Sequence, residues 1–339
     1  MARPRLLMTG GTGFLGKHVV PLLEQDFDVD VLSRSAKGLF HADLADWNAG
    51  IEDLEPLKDR KYVALLHMAG LYDLMASSKA CYLQNVVGTT HALRVAQILE
   101  IPVFISTSSV AAAINCTQEK VHPTDLNLSD RFPDAYSESK ACTESILQNW
   151  SDEVPLRVNL RPGVLVGDSH YGLIERIDGP YYAPQAFQRL RGLIESFPAP
   201  LPLPGSESVR LPILPVDICA KAVVGMTKWA ISSGEKGYRS FHLTPQIGVA
   251  LADFYQSTLR HLFLKNRGIR LMTRVPDAVM KKLSKWAVRF PEEQTHYLLK
   301  FPFYDSSATQ DILGPDWCPE FESYEFHFWS GYEKFVSNR

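Results

Sequence analysis

The feature that most constrains this chain is a glycine-rich turn near its start. Thr9-Gly10-Gly11-Thr12-Gly13-Phe14-Leu15-Gly16 lies between a short apolar run at 5–8 and a helical pattern from Phe14 to about Gln25. The glycines have separate tasks: Gly10 permits a tight turn, Gly13 lets the backbone approach a pyrophosphate, and Gly16 allows close packing of helix on strand. Amide donors and the positive dipole of the helix N-terminus complete a site for an anion. Such a triplet says little alone; its position between strand and helix gives it weight. Within the turn, Gly10, Thr12, Gly13, Phe14, Leu15 and Gly16 are the candidate dinucleotide contacts. Pro21, inside the helical pattern, should remove one helix hydrogen bond, and nothing in the sequence accounts for it.

Further apolar runs at 29–32, 62–67, 103–106 and 156–166 alternate with helical stretches such as 83–99. That alternation predicts an α/β fold, a Rossmann-type doubly wound parallel sheet covered on both faces. After Gly167 the texture changes, and Pro198, Pro200, Pro202 and Pro204 mark an irregular connection. The expected layout is a dinucleotide-binding domain over 1–165 and a smaller, mixed substrate-binding region over 166–339 that can return strands or helices to the first. A chain of 339 residues, 45% hydrophobic, has ample material for that core.

The second strand addresses which dinucleotide is held. In this fold an acid at its end holds the ribose 2′-hydroxyl of NAD, whereas a nearby Arg accommodates the 2′-phosphate of NADP. Counting about 23 residues on from Gly10 lands on Ser33, followed by Arg34 with Ser35 and Lys37 as helpers. Asp30, three residues earlier, is inside the strand. NADP(H) is therefore favoured over NAD(H), because a guanidinium grips phosphate with two prongs.

Tyr136-Ser137-Glu138-Ser139-Lys140 is the chain's only Tyr-x-x-x-Lys, and it sets a phenol and an ammonium on one helical face. A nearby cation stabilises a phenolate and makes tyrosine a usable general acid or base. Ser109 follows the 103–106 strand directly and could hold a carbonyl oxygen beside that tyrosine.

Whole-chain totals exclude several classes. With 35 bases against 38 acids the net charge is −3, which gives no general reason to expect nucleic acid. No apolar run approaches a membrane span, and the basic N-terminus meets glycines too soon to read as a signal peptide. Five cysteines without CxxC spacing read as reduced thiols of a cytoplasmic protein. Ten histidines lack metal-type spacing, so no metal is expected.

In order along the chain, TGGTGFLG (9–16), HADL (41–44), HMAG (67–70), NVVGT (85–89), STSSV (106–110), YSESK (136–140) and LRPGVLVG (160–167) resemble an extended short-chain dehydrogenase/reductase. The resemblance implies that Asp43 and Leu44 contact adenine and that Ala69 and Gly70 pass beside the cofactor. It places Asn85 near the active centre and Pro162, Gly163 and Val164 at the nicotinamide end. Tyr136 and Lys140 become catalytic residues that also touch the cofactor. Ser109 is the third catalytic residue, with Ser108 and Thr107 as alternatives because alanines fill 111–113. Narrower likenesses in HMAGLYDL (67–74), VGDSHYGLIERIDGPYY (166–182), LPVDICAKAV (214–223) and FHLT (241–244) resemble the thioester-reductase and fatty acyl-CoA reductase branch. That branch implies NADPH-driven reduction of a lipophilic or carrier-bound carbonyl: an acyl thioester, a fatty aldehyde or a bulky ketone. Two alternatives stand beside it. One is a nucleotide-sugar epimerase or dehydratase with tightly held NAD; the other is a non-catalytic NADP-binding regulator.

Two further features fall in the C-terminal half. Residues 301–339 hold 11 of the 36 aromatics, which either complete a core or line a lipophilic channel. Residues 260–289 carry nine bases and one acid, Asp277. Between Pro276 and Pro291, Val279, Leu283, Trp286, Ala287 and Phe290 recur at helical spacing opposite Lys281, Lys282, Lys285 and Arg289. This basic amphipathic helix packs on the core with a solvated face, docks an acidic carrier or coenzyme-A phosphates, or lies on an anionic membrane.

Overall fold

Leu6 and Met8 face one side of their strand and Leu7 the other, and all three are fully buried. Both faces of the sheet are therefore covered, as a parallel sheet requires. The computed structural model describes residues 3–34, 40–273 and 295–338. Seven parallel strands make the central sheet: β1 (Arg5–Thr9), β2 (Asp28–Ser33), β3 (Phe40–His41), β4 (Tyr62–His67), β5 (Val103–Thr107), β6 (Leu156–Pro162) and β7 (Gly237–Leu243). Their spatial order is β7-β6-β5-β4-β1-β2-β3. Helices α1 (Gly16–Leu23), α2 (Gly88–Ile98), α3 (Ala135–Gln148) and α4 (Val216–Ser232) flank it. Val19 and Leu23 of α1 share one core with Val223 and Met226 of α4. Leu93 and Ala96 of α2 share the opposite core with Leu147 of α3.

Strand order reverses between β1 and β4, so their connections leave in opposite directions and open a crevice at the carboxyl ends of the strands. Although β7 and α4 come from beyond residue 166, they belong to the central layers.

Three local expectations meet tertiary structure. The run 156–166 is not one strand: β6 ends at Pro162, and Val164–Val166 turns away to pair with Ile213–Pro215. A methyl group at Gly163 would lie 2.2 Å from the Pro212 carbonyl oxygen, so this crossing needs a bare backbone. The helix expected over 83–99 starts earlier, at Ser78, whose predecessor Ser77 accepts from the Ala80 amide; it widens into a π-helical turn at Tyr82–Val87 before α2. Pro21 and Lys17 are both exposed, so the carbonyl that lost its donor lies on the water-facing side of α1.

The C-terminal helix α5 (Phe321–Ser337) buries Phe321, Tyr324, Phe328, Trp329 and Tyr332 against Tyr181, Phe254 and Tyr255. The aromatic tail thus chiefly completes a second core, seated on strand ribbons such as Leu201–Pro204 with Ile269–Met272. No helix among the described residues is long and apolar enough to cross a membrane. Ser35, Lys37 and the expected basic helix between Pro276 and Pro291 lie outside the described residues.

Candidate active site

The glycine turn sits where β1 ends, pressed against the end of β4. Gly10 has φ +75°, and a Cβ there would lie 2.5 Å from the Ala69 amide nitrogen. At Gly16 a Cβ would lie 2.2 Å from the Gly10 carbonyl oxygen. Side chains at these positions would fill the turn, and the bare cradle at a helix N-terminus fits a pyrophosphate. Thr9 Oγ1 accepts from the Ala69 amide at 3.3 Å and bonds His67 Nδ1 at 2.8 Å, tying the two strand ends together. His67 is fully enclosed, with Nε2 3.0 Å from Thr89 Oγ1; burial and the Lys140 charge push its pKa down to about 3.

Catalytic candidates converge from β5 and α3. Asp134 caps α3 by accepting from the Ser137 amide at 2.7 Å, which orients the first turn carrying Tyr136. The Ser109 hydroxyl lies close enough to the Tyr136 phenol to pull its pKa down against the rise from burial, and it accepts from the Ala111 amide at 3.2 Å. Ser108 is committed elsewhere, donating to buried Glu144 at 2.5 Å. Of the two serines, Ser109 is therefore the one that reaches the tyrosine. Lys140 Nζ lies 5.8 Å from the Tyr136 ring centre and donates to the Thr107 carbonyl at 3.1 Å. Burial raises the phenol pKa, so it keeps its proton at neutral pH, and burial lowers the Lys140 pKa to about 8 against the opposing pull of Glu144.

A cavity of about 980 Å³ joins these groups. Gly10, Gly13, Phe14, Leu15, Gly16, Gly70, Ser109, Tyr136, Lys140, Pro162, Gly163 and Val164 line one end. The lining continues past Tyr72 and Arg176 to Phe187, Ile194, Leu203, Phe254, Tyr255 and Phe301, a largely apolar wall. Other expected contacts stand outside that lining. Thr12 and Arg34 are exposed, the first in the turn and the second just past β2. Asp43 and Leu44 follow β3; the Asp43 carboxylate accepts from the Ala45 amide, and the Leu44 carbonyl meets His91 of α2. Ala69 is held by Thr9. Asn85 accepts from the Leu71 amide at 2.7 Å and donates to Ser139 at 2.8 Å, so it braces the loop after β4 against α3. Asp30 is gripped by Arg60 and Tyr62, each at 2.7 Å, and is spent inside the sheet.

Two clusters escaped sequence reasoning. Tyr72 packs edge-on to Tyr136 at 5.2 Å under the Arg176 guanidinium, which is paired with Asp178. Tyr297 donates to the α3 cap Asp134 at 2.7 Å and bonds Ser137 Oγ at 2.8 Å. Asp134 three residues before Ser137 is a readable capping signal; a tyrosine 163 residues from Asp134 is not. Among the described residues no cluster of metal-ligand type occurs.

Comparison with known proteins adds family and fold. Residues 38–223 match the family model described as male sterility protein, and no curated protein matches the chain. The terminal R domain from the myxalamid PKS-NRPS biosynthetic pathway is similar at TM-score 0.75 and 20% identity, over 100% of this chain and 92% of that one. A UDP-galactose 4-epimerase gives 0.64 and 17%, over 98% and 99%. The Bordetella bronchiseptica enzyme WbmH in complex with NAD+ gives 0.65 and 18%, over 98% and 99%. At these identities the solved structures establish a shared fold.

Proposed function

We propose a function from one premise: the chain belongs to the male sterility protein family, the thioester-reductase-like, NAD(P)-binding branch of the extended short-chain dehydrogenases/reductases. The reading best supported is an NADP-dependent reductase of a hydrophobic carbonyl, whether acyl thioester, fatty aldehyde or bulky ketone. One observation carries it: the same cavity has Ser109, Tyr136 and Lys140 at one end and an apolar wall including Phe187, Ile194 and Leu203 further along.

Bound in the cradle, the dinucleotide supplies a hydride. The turn from Gly10 to Gly16 would hold its pyrophosphate, Arg34 its 2′-phosphate, Asp43 and Leu44 the adenine end, and Pro162 to Val164 the nicotinamide end. Lys140 would also anchor the ribose. Tyr136 gives its proton to the carbonyl oxygen, a role that fits a phenol kept protonated by burial. Ser109, which lines the same cavity beside that phenol, would offer the oxygen a second polar contact. The Lys140 ammonium stabilises the phenolate that remains.

The test is NADPH oxidation with paired acyl-CoA, aldehyde and ketone substrates of graded chain length. Turnover should rise with chain length in at least one series. Purified chain carrying non-exchanging NAD and oxidising no NADPH would overturn the reading in favour of sugar-nucleotide chemistry.

A further inference from the structure

The apolar end of the cavity opens beside a basic surface with an aromatic tip. Leu193, on the short helix Arg191–Ser196, lines the cavity and is 58% exposed. Arg191 donates to the Leu262 carbonyl at 2.8 Å, which brings the next residue, Phe263, to the same edge. Phe263 is 86% exposed and held at φ +52°, a left-handed conformation that a bulky side chain seldom adopts. Beyond it, Ile269–Met272 pairs with Leu201–Pro204, and Leu203 and Met272 line the cavity.

Bases are dense in the segment that carries Phe263. Arg260, Lys265, Arg267 and Arg270 are exposed, and no acid occurs between 260 and 273. Arg191 is answered by Glu195 and Arg260 by Glu325. Among the described residues, Lys265, Arg267 and Arg270 form no ion pair. Among the described residues, a chain of net charge −3 thus carries these unpaired bases on the segment that joins Phe263 to the cavity-lining Met272.

We propose that this face docks on an anionic lipid surface, so that a lipophilic carbonyl enters the cavity from the bilayer without crossing water. The inference rests on the reading of the cavity as a site for such a carbonyl. Unpaired bases are drawn to anionic headgroups, and an exposed aromatic inserts at the headgroup boundary. An acidic protein would answer the charges; Phe263 and Leu193 beside an open apolar cavity favour hydrocarbon.

The experiment is flotation with phosphatidylcholine vesicles with and without phosphatidylserine, using wild type, Phe263→Asn, and the triple variant Lys265→Glu/Arg267→Glu/Arg270→Glu. Asn tolerates the left-handed backbone, so that variant keeps the test open should the triple variant misfold. Wild type should float with phosphatidylserine vesicles and be released by salt. The triple variant should partition at least about tenfold less and Phe263→Asn measurably less, both with unchanged dinucleotide affinity. Wild type that ignores phosphatidylserine, variants that float like wild type, or capture by an acidic acyl-carrier protein alone would overturn the proposal. Flotation is scored without turnover: a chain that floats but reduces no carbonyl sinks the reaction and keeps the surface. One that reduces long-chain carbonyls but stays off vesicles does the reverse.

Discussion

Glu144 and Arg161 meet in a two-pronged ion pair with their side chains 0% and 1% exposed, one helical turn beyond Lys140. The guanidinium donates to one carboxylate oxygen at 2.9 and 2.5 Å, Ser108 donates to the other, and His242 Nε2 accepts from Arg161 at 3.1 Å. The pair locks α3, which carries Tyr136 and Lys140, to β6 and thence to β7.

Removing one partner should be costly because the other charge stays buried. Glu144→Gln is expected to lose about 3–5 kcal/mol of stability. Urea denaturation measures it; a loss within error of zero would show that water reaches the pair.

Turnover should depend on the charge of Lys140. Its pKa is held near 8 by burial, so the ammonium that supports the Tyr136 phenolate is lost as pH rises through that value, and kcat should fall there. Lys140→Met should abolish this limb together with most of the activity. Tyr136→Phe should lower turnover by about 10²–10⁴ with dinucleotide affinity nearly intact. A pH–rate profile of each variant decides; unchanged turnover in Tyr136→Phe would end the proposed mechanism.

Cofactor choice should rest on one exposed guanidinium. Arg34→Ser is expected to weaken NADPH binding about tenfold, the worth of a charge-assisted contact, and to leave NADH nearly unchanged. Fluorescence titration with both nucleotides checks this; equal losses for the two would remove Arg34 from phosphate recognition.

Acid should destabilise the fold through two buried histidines. His67 and His242 are held neutral, with pKa near 3, by burial and by the nearby charges of Lys140 and Arg161. Between pH 6.5 and 3 the unfolded chain binds protons that the folded chain refuses, so stability rises with pH across that window and falls on acidification. Each contributes a slope of about 1.4 kcal/mol per pH unit. Urea midpoints from pH 7 to 5 should fall in wild type and fall less steeply in His242→Gln.

Local pattern carried far into this molecule. The glycine turn, the run of residues in β4 and the Tyr-x-x-x-Lys spacing depend on contacts within a few residues, and all lie at the carboxyl ends of the strands or on α3. Strand and helix periodicities are local too, so the doubly wound sheet was legible before any contact was known. Tertiary packing decided what spacing cannot encode. Ser109 faces Tyr136 because Ser108 is bound to Glu144, and the strand after β6 breaks at Gly163 because the Pro212 backbone crosses there. Most of the tail aromatics fill a core, whereas Phe301 joins a cavity wall gathered from 187–203, 251–255 and 297–301. Tyr297 reaches Asp134 across 163 residues. Such pairings arise from packing of surfaces far apart in the chain, and no periodicity within either segment foretells its partner.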